Sequence, residues 1–238
     1  MGELWNTSSD SPAPYESRAA LAVLVSAGLD SAILLAEALD HHPRVHPLYV
    51  RSGLYWETAE LSHLCRFLGA LERPALAPLQ VLDVPVGDLY GSHWSLTGEK
   101  IPDADSLDEA VFLPGRNVLL LSKAILWCHL LRVPAVALGV LHSNPFPDAT
   151  LAFFAALQKV VNDAVGGAVE VRTPYAGLAK AQVLRRRPGL PLELTFSCLN
   201  PGEDRHCGRC NKCSERRRAF LEAGLADPTV YRSNQCTG

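Results

Sequence analysis

Short apolar runs recur along the chain, and most are followed by a longer stretch whose apolar positions return every three or four residues. The runs at Leu21–Val25, Val45–Val50, Leu79–Val84, Ala135–Val140 and Val169–Val171 read as strands. After the first run a helix is predicted from about Asp30 to Leu39, with Ala32, Leu35, Ala36 and Leu39 on one face. After the second, Leu61, Leu64, Cys65 and Leu68 give the i, i+3, i+4, i+7 stripe of a helix packed on a sheet. The stretch Asn117–Leu131 is apolar nearly all round, which predicts a buried helix. Phe153, Leu157, Val160 and Val161 stripe a fourth. Strands alternating with helices predict an α/β fold, a mostly parallel sheet covered on both faces. Ligands of such sheets bind beyond the C-terminal strand ends. The segments Ser26–Ser31, Arg51–Gly53 and Leu141–Asp148 each follow a strand, so they are expected to meet around one pocket.

Two stretches depart from this rhythm. Gly87–Val111, with its glycines, Pro102 and a run of acids, reads as a long loop over the site, a candidate lid. After about Pro188 the alternation gives way to a cysteine-rich appendage. The expected organisation is therefore a polar, disordered leader (1–18), an α/β domain (19–188) and a C-terminal metal-binding appendage (189–238). The apolar content of 48% suits a sizeable core, and a net charge of −3 gives no global case for nucleic acid or a membrane surface. No apolar run approaches the length of a membrane span and no secretory signal is read, so a cytoplasmic location is expected.

The first strand ends in Val25-Ser26-Ala27-Gly28-Leu29-Asp30-Ser31. A helix that begins at such a turn offers unpaired backbone N–H groups and the positive end of its dipole, a cradle for phosphate. Ser26 and Ser31 bring hydroxyls, and Asp30 is placed to hold Mg2+ or to cap the helix. The G-x-x-x-x-G-K-[ST] and G-x-G-x-x-G signatures are both absent, so neither ordinary γ-phosphate transfer nor a dinucleotide is indicated. The loop resembles the Ser-Gly-Gly-x-Asp-Ser segment of the N-type ATP pyrophosphatases, with Ala27 where that family has glycine.

Seven cysteines in a cytoplasmic chain argue for metal or catalysis rather than disulfides. Cys65 and Cys128 fall in apolar helical patterns and are expected in the core. Cys198, Cys207, Cys210 and Cys213 form C-x8-C-x2-C-x2-C, the spacing of a closed four-thiolate zinc site; an iron–sulfur cluster and redox thiols are the competing readings. His206 is expected as a neighbour rather than a ligand. The triplets Arg185–Arg187 and Arg216–Arg218 read as solvated helix faces, with an RNA-facing patch as the alternative.

Phe112-Leu113-Pro114-Gly115-Arg116-Asn117 opens the buried helix, putting a guanidinium after a Pro-Gly turn where it can grip phosphate or carboxylate. Thr173-Pro174 with Lys180 downstream, and then the cysteines, complete an order of motifs that resembles the 7-cyano-7-deazaguanine synthase family from about Leu21 to the helix after Cys213. The resemblance implies a Rossmann-like, adenine nucleotide alpha hydrolase-like sheet and a specific reaction. A 7-carboxy-7-deazaguanine carboxylate is adenylated by ATP with release of pyrophosphate, ammonia displaces AMP to give the amide, and a second ATP drives loss of the amide oxygen to leave a nitrile. It implies ATP contacts from Ser26, Ala27, Gly28, Leu29, Asp30, Ser31, Arg51 and Gly139. Asp30, Arg116 and Lys180 take catalytic roles, and Zn2+ on the four cysteines is structural. Arg116, Asn117, Phe146 and Asp148 are the expected substrate contacts, Asp148 binding the guanine-like edge or, alternatively, capping the helix before Leu151. A homodimer is common in the family.

The substrate-facing loops depart most from the family pattern. The family's Asp-Tyr-Gly-Gln-Arg-His becomes Tyr49-Val50-Arg51-Ser52-Gly53-Leu54, and the segment around Pro147-Asp148 lacks the family's Cys and Arg. A paralogous ligase that stops at an amide, a tRNA thiolase and a zinc-stabilised nucleotide-binding regulatory module are the alternatives.

Overall fold

The alternation resolves into a five-stranded sheet with every pairing parallel, in the order β3-β2-β1-β4-β5. The structure, a computed structural model, describes residues 19–232; the expected leader and Cys236 lie outside the described residues. The first half comprises β1 (Leu21–Leu24), α1 (Leu29–His41), β2 (Val45–Arg51), α2 (Glu57–Leu71), β3 (Gln80–Asp83), α3 (Gly87–Tyr90) and α4 (Trp94–Thr97). The second comprises α5 (Arg116–Leu131), β4 (Ala135–Ala137), α6 (Leu151–Val165), β5 (Glu170–Arg172), α7 (Lys180–Arg186) and α8 (Asn211–Ala223). All five predicted strands are present, each within a few residues of its expected bounds.

β1 holds the centre because both of its faces are apolar. Leu21 and Val23 face a core shared with α1, α2, α7 and α8, while Ala22 faces a second core under α5 and α6. The chain steps outward from β1 to β2 and β3, then returns to the other side of β1 for β4 and β5. The loops after β1 and β4 therefore leave neighbouring strands toward opposite faces, which opens a crevice between them.

The predicted roles of two helices are exchanged. α1, expected to bury one face, is buried from Leu29 to Leu39 at every residue but Asp30, because α7 packs over its outer side. α5, expected to be buried all round, buries only Leu121, Ala124, Ile125 and Cys128, and leaves Leu130 at 75% exposure. Among the described helices α6 packs most extensively against it. Two stripes are also rotated. The buried face of α2 runs Glu60, His63, Leu64, Phe67, one residue earlier than the periodicity predicts, so Cys65 is exposed. In α6, Phe154 and Val161 turn inward and Val160 faces out.

Residues 87–111 are not a structureless loop: they contain α3, α4 and a 3-10 turn at Asp108–Val111. The segment is tied to the appendage where the Asn211 N–H donates to the Pro102 carbonyl at 3.0 Å. The appendage itself shares the α1 core, since Phe196, Cys198, Cys207, Cys210, Cys213 and Phe220 pack in one cluster with Leu21 and Val23. Arg216, read from sequence as part of a solvated face, is 1% exposed. It donates to Thr229 Oγ1, Ser197 Oγ, the Leu192 carbonyl and Thr195 Oγ1. Among the described residues no helix is long and apolar enough to cross a membrane.

Candidate active site

The crevice at the β1–β4 switch point holds adjoining cavities. One, of about 290 Å³, is walled by Trp56, Trp94, Phe112, Phe146 and Phe196. A second, of about 180 Å³, lies among Val25, Tyr49, Val50, Leu121 and Leu138. Ser26, Gly28, Asp30, Glu60, Arg116 and Asn117 line both, so these residues stand where the two meet. A third recess of about 130 Å³ shares Asp30, Asn144, Lys180, Lys212 and Glu215 with the first and adds Asp108, Leu141, Ser143 and Pro145.

The loop after β1 is shaped by its own hydroxyl. Ser31 Oγ donates to the Gly28 carbonyl at 3.1 Å and accepts from the Ser26 N–H at 3.2 Å. That hydroxyl is therefore engaged inside the loop rather than offered to a ligand. Gly28, not Asp30, is the N-cap of α1, and no side chain caps the helix. Ala27 lies beneath the loop at 1% exposure with φ +56°, and its carbonyl accepts from the Phe196 N–H at 2.8 Å. Gly139 passes so close that an added Cβ would stand 3.2 Å from the Asp30 carbonyl carbon.

Asp30, Arg116 and Lys180 come from three separate elements and line one cleft. Lys180, at the start of α7, pairs with Asp30 Oδ2 at 3.2 Å and with Glu215 Oε1. Lys212 holds the other Glu215 oxygen at 2.6 Å. Burial opposes the Lys180 charge, yet the Asp30 and Glu215 carboxylates outweigh it and hold the ammonium above its ordinary range. Glu215 is likewise buried, but the two lysines keep it well below the usual carboxylate range. Burial raises Asp30 despite Lys180. Asp30 Oδ1 and Arg116 Nε are buried and have no hydrogen-bond partner among the described residues. A buried acid oxygen and a buried guanidinium N–H, both unpartnered and lining one cleft, suit a ligand that carries both a cation and phosphate oxygens.

Other expected residues fall differently. Gly115, with φ +74°, is the N-cap of α5, a left-handed position that favours glycine. Asn117 is not the cap. Its N–H donates to Asp148 Oδ2 at 3.1 Å and its side-chain amide to the Asp148 carbonyl at 2.9 Å. Asp148 therefore serves the start of α5, while Thr150 caps α6 through the Phe153 N–H. Phe146 faces the cleft against Phe112, ring centroids 5.1 Å apart. Arg51 does not join the site: register places it beside Asp83, and the two form an exposed ion pair at 2.6 Å.

The four cysteine sulfurs lie within 4.8 Å of one another and are buried. The Cys207–Cys213 and Cys198–Cys210 sulfurs are 4.0 Å apart, close to the roughly 3.8 Å that tetrahedral Zn–S bonds of about 2.3 Å require. The Asn200 and Cys207 N–H groups point at Cys198 Sγ at 3.3 and 3.2 Å, and the Arg209 N–H at Cys207 Sγ at 3.4 Å, as suits anionic sulfur. The donor set fits zinc. His206 stays a neighbour, its Nε2 accepting from the Ser197 N–H at 3.1 Å.

A family model described as "Queuosine biosynthesis protein QueC" matches residues 20–224. The chain belongs to that family. A 7-cyano-7-deazaguanine synthase of Thiobacillus denitrificans is 34% identical over 223 residues, covering 88% of this chain and 96% of that one. One of Methanosphaerula palustris is 34% identical over 220 residues, 87% and 97% of the two chains. One of Anaeromyxobacter dehalogenans is 33% identical over 238 residues, 92% and 98%.

Within this QueC-family cleft, sequence reasoning missed Trp56, Glu60, Trp94, Lys212 and Glu215. Glu60 carried a signal: it sits one turn before Leu64, on the face that packs inward. Lys212 and Glu215 flank Cys213 and read as appendage; only the packing of α8 against α7 turns them to the cleft.

Proposed function

We propose that this chain converts 7-carboxy-7-deazaguanine and ammonia into 7-cyano-7-deazaguanine in the cytoplasm, using two ATP-dependent activations that each release pyrophosphate and AMP. The observation that carries this reading is the junction: Ser26, Gly28, Asp30 and Arg116 line both cavities, so a nucleotide in one and a carboxylate in the other would meet at the α-phosphate.

The apolar cavity under Tyr49, Val50 and Leu121 suits an adenosine, and the aromatic cavity suits a flat deazapurine, with Phe112 and Phe146 offering ring faces. The first free N–H groups of α1 receive the phosphates as oriented dipoles. Arg116 and Lys180 supply positive charge as the leaving pyrophosphate gains negative charge. Asp30, through its unpartnered Oδ1, is the residue that would hold Mg2+, which when bound would neutralise the phosphate oxygens. The four cysteines would hold Zn2+ as a structural ion, since four protein ligands leave no open position. No side chain need act as a nucleophile; the cleft aligns the substrate oxygen with the α-phosphate.

The thiolase alternative needs a reactive cysteine at this cleft. The cysteine that lines it, Cys198, belongs to the four-thiolate cluster; Cys65 and Cys128 are not among the lining residues, and burial pushes the Cys128 thiol up to about 12. The deciding experiment is mass spectrometry of the product from 7-carboxy-7-deazaguanine, ATP, Mg2+ and ammonium. The nitrile is expected. Amide alone identifies the paralogous ligase, and unchanged substrate with no pyrophosphate overturns the enzymatic reading.

A further inference from the structure

The chemistry just assigned has a requirement that the phosphate-binding residues do not meet. Ammonia is mostly ammonium near neutral pH and has no lone pair until it loses a proton. The nitrogen must lose further protons as the adenylate becomes an amide and the amide becomes a nitrile. A proton acceptor is needed within reach of the carbon under attack.

The acids that line the cleft are Asp30, Glu60, Asp108, Asp148 and Glu215. Four of them are unsuited. Asp30 is paired with Lys180, and Glu215 is clamped between Lys180 and Lys212. Asp148 accepts from the Asn117 backbone, and Asp108 lines only the outer recess, where Asn211 Nδ2 donates to it at 3.4 Å. Glu60 differs. It stands at the junction of the two main cavities, where the acyl carbon and α-phosphate would meet, and it has no salt-bridge partner among the described residues. Tyr49 Oη donates to its Oε2 at 2.7 Å and fixes the orientation of the carboxyl group.

We propose that Glu60 is the catalytic residue that takes protons from the nitrogen at both stages of the reaction. The inference rests on the function proposed above. In the first stage the Glu60 carboxylate accepts a proton from ammonium. The freed lone pair attacks the acyl carbon, and the C–O bond to AMP breaks with its electron pair leaving on AMP. Glu60 passes the first proton to water and then takes the excess proton from the added nitrogen, leaving the neutral amide. In the second stage the amide oxygen attacks the α-phosphate of a new ATP and displaces pyrophosphate. Glu60 then takes the N–H protons in turn as the C–O bond to AMP breaks and the nitrile forms. Between transfers the proton returns to water in the cleft, so the residue is unchanged at the end.

The groups facing Glu60 tune it for this task. Burial, the largest influence, raises it; Arg116 from α5 and the Tyr49 hydroxyl from β2 lower it, and Glu57 on its own helix raises it. Its carboxyl group is thereby pushed up to about 7. A base poised near the working pH transfers protons most effectively.

The test uses the full chain and its Glu60→Gln and Glu60→Asp variants, with ammonium and then hydroxylamine as the nitrogen donor. Hydroxylamine is uncharged near neutral pH and attacks without prior deprotonation. Expected for Glu60→Gln is a loss of amide and nitrile on the order of 100-fold. ATP–pyrophosphate exchange and hydroxamate formation are expected to stay within a few-fold of wild type. In the wild type the ammonium-dependent rate levels off once Glu60 is ionised, whereas in Glu60→Gln it follows the free-ammonia fraction and keeps rising with pH; the plateau returns, displaced, in Glu60→Asp. If the ammonium and hydroxylamine products fall together in a folded Glu60→Gln protein, or neither falls, Glu60 is not the base. If the wild-type chain shows no substrate-dependent exchange, the proposed function fails as well, and the two failures are told apart.

Discussion

At the scale of single residues, Ala27 shows how opposing small terms let a sequence depart from its family. Its φ of +56° is the left-handed region, where a Cβ costs about 1–2 kcal/mol. Against this, glycine would lose about 0.5–1 kcal/mol to chain entropy. The buried methyl contributes roughly 0.8 kcal/mol more. The sums nearly cancel, so Ala27→Gly is expected to shift the urea-unfolding free energy by less than about 1 kcal/mol and to leave ATP binding intact. Ala27→Val has no such compensation, because a β-branched side chain is far worse at positive φ and the site is closed. It is expected to destabilise by more than about 2 kcal/mol in the same assay. The position was legible in sequence as a departure; its φ was not, because nothing local dictates it.

At the scale of elements, the start of α5 matters more than its sequence suggests. The N-cap is Gly115, which has no side chain to cap with, and the acid that serves the first turn is Asp148, distant in sequence. Asp148→Ala is expected to cost about 1–2 kcal/mol, as loss of a capping acid does. Because Arg116 is the first residue of that turn, the same change is expected to raise the KM for ATP, measured by pyrophosphate release. Unchanged stability and KM would show that the Asn117 side-chain bond to the Asp148 carbonyl suffices alone. The exchanged burial of α1 and α5 teaches the same lesson. Apolar periodicity shows which residues can be buried, but the number of elements packed on a helix decides how many are.

At the scale of the whole molecule, the cysteine appendage is part of the α/β body. Its cysteines share a core with β1, and α8 carries Lys212 and Glu215 to Lys180 and Asp30. Stripping zinc with a chelator is therefore expected to lower the melting temperature in a single cooperative transition and to abolish ATP binding. Circular dichroism and nucleotide titration check this; a local change with nucleotide affinity retained would count against it. A second expectation concerns pH. Glu60 rises from 4.5 to about 7 on folding, so the folded state holds a proton that the unfolded state has lost between those values. The stability it contributes is complete below 4.5 and declines as pH climbs through about 7. The decline amounts to roughly 3 kcal/mol, at about 1.4 kcal/mol per tenfold. Urea melts across this range should show the decline in the wild type and its absence in Glu60→Gln.

The sequence by itself determined the strands, the turn at Ser26–Ser31, the four cysteines and the catalytic candidates Asp30, Arg116 and Lys180. Each depends on local rules: apolar runs, turn chemistry, ligand spacing and the charge of a side chain after a strand. Tertiary structure alone decided which candidates share a cleft. It removed Arg51 to an ion pair with Asp83, turned Asp148 into a helix cap, took the Ser31 hydroxyl into the loop and brought in Glu60, Lys212 and Glu215. These outcomes depend on strand register, helix rotation and contacts between residues far apart in the chain, which no local pattern encodes.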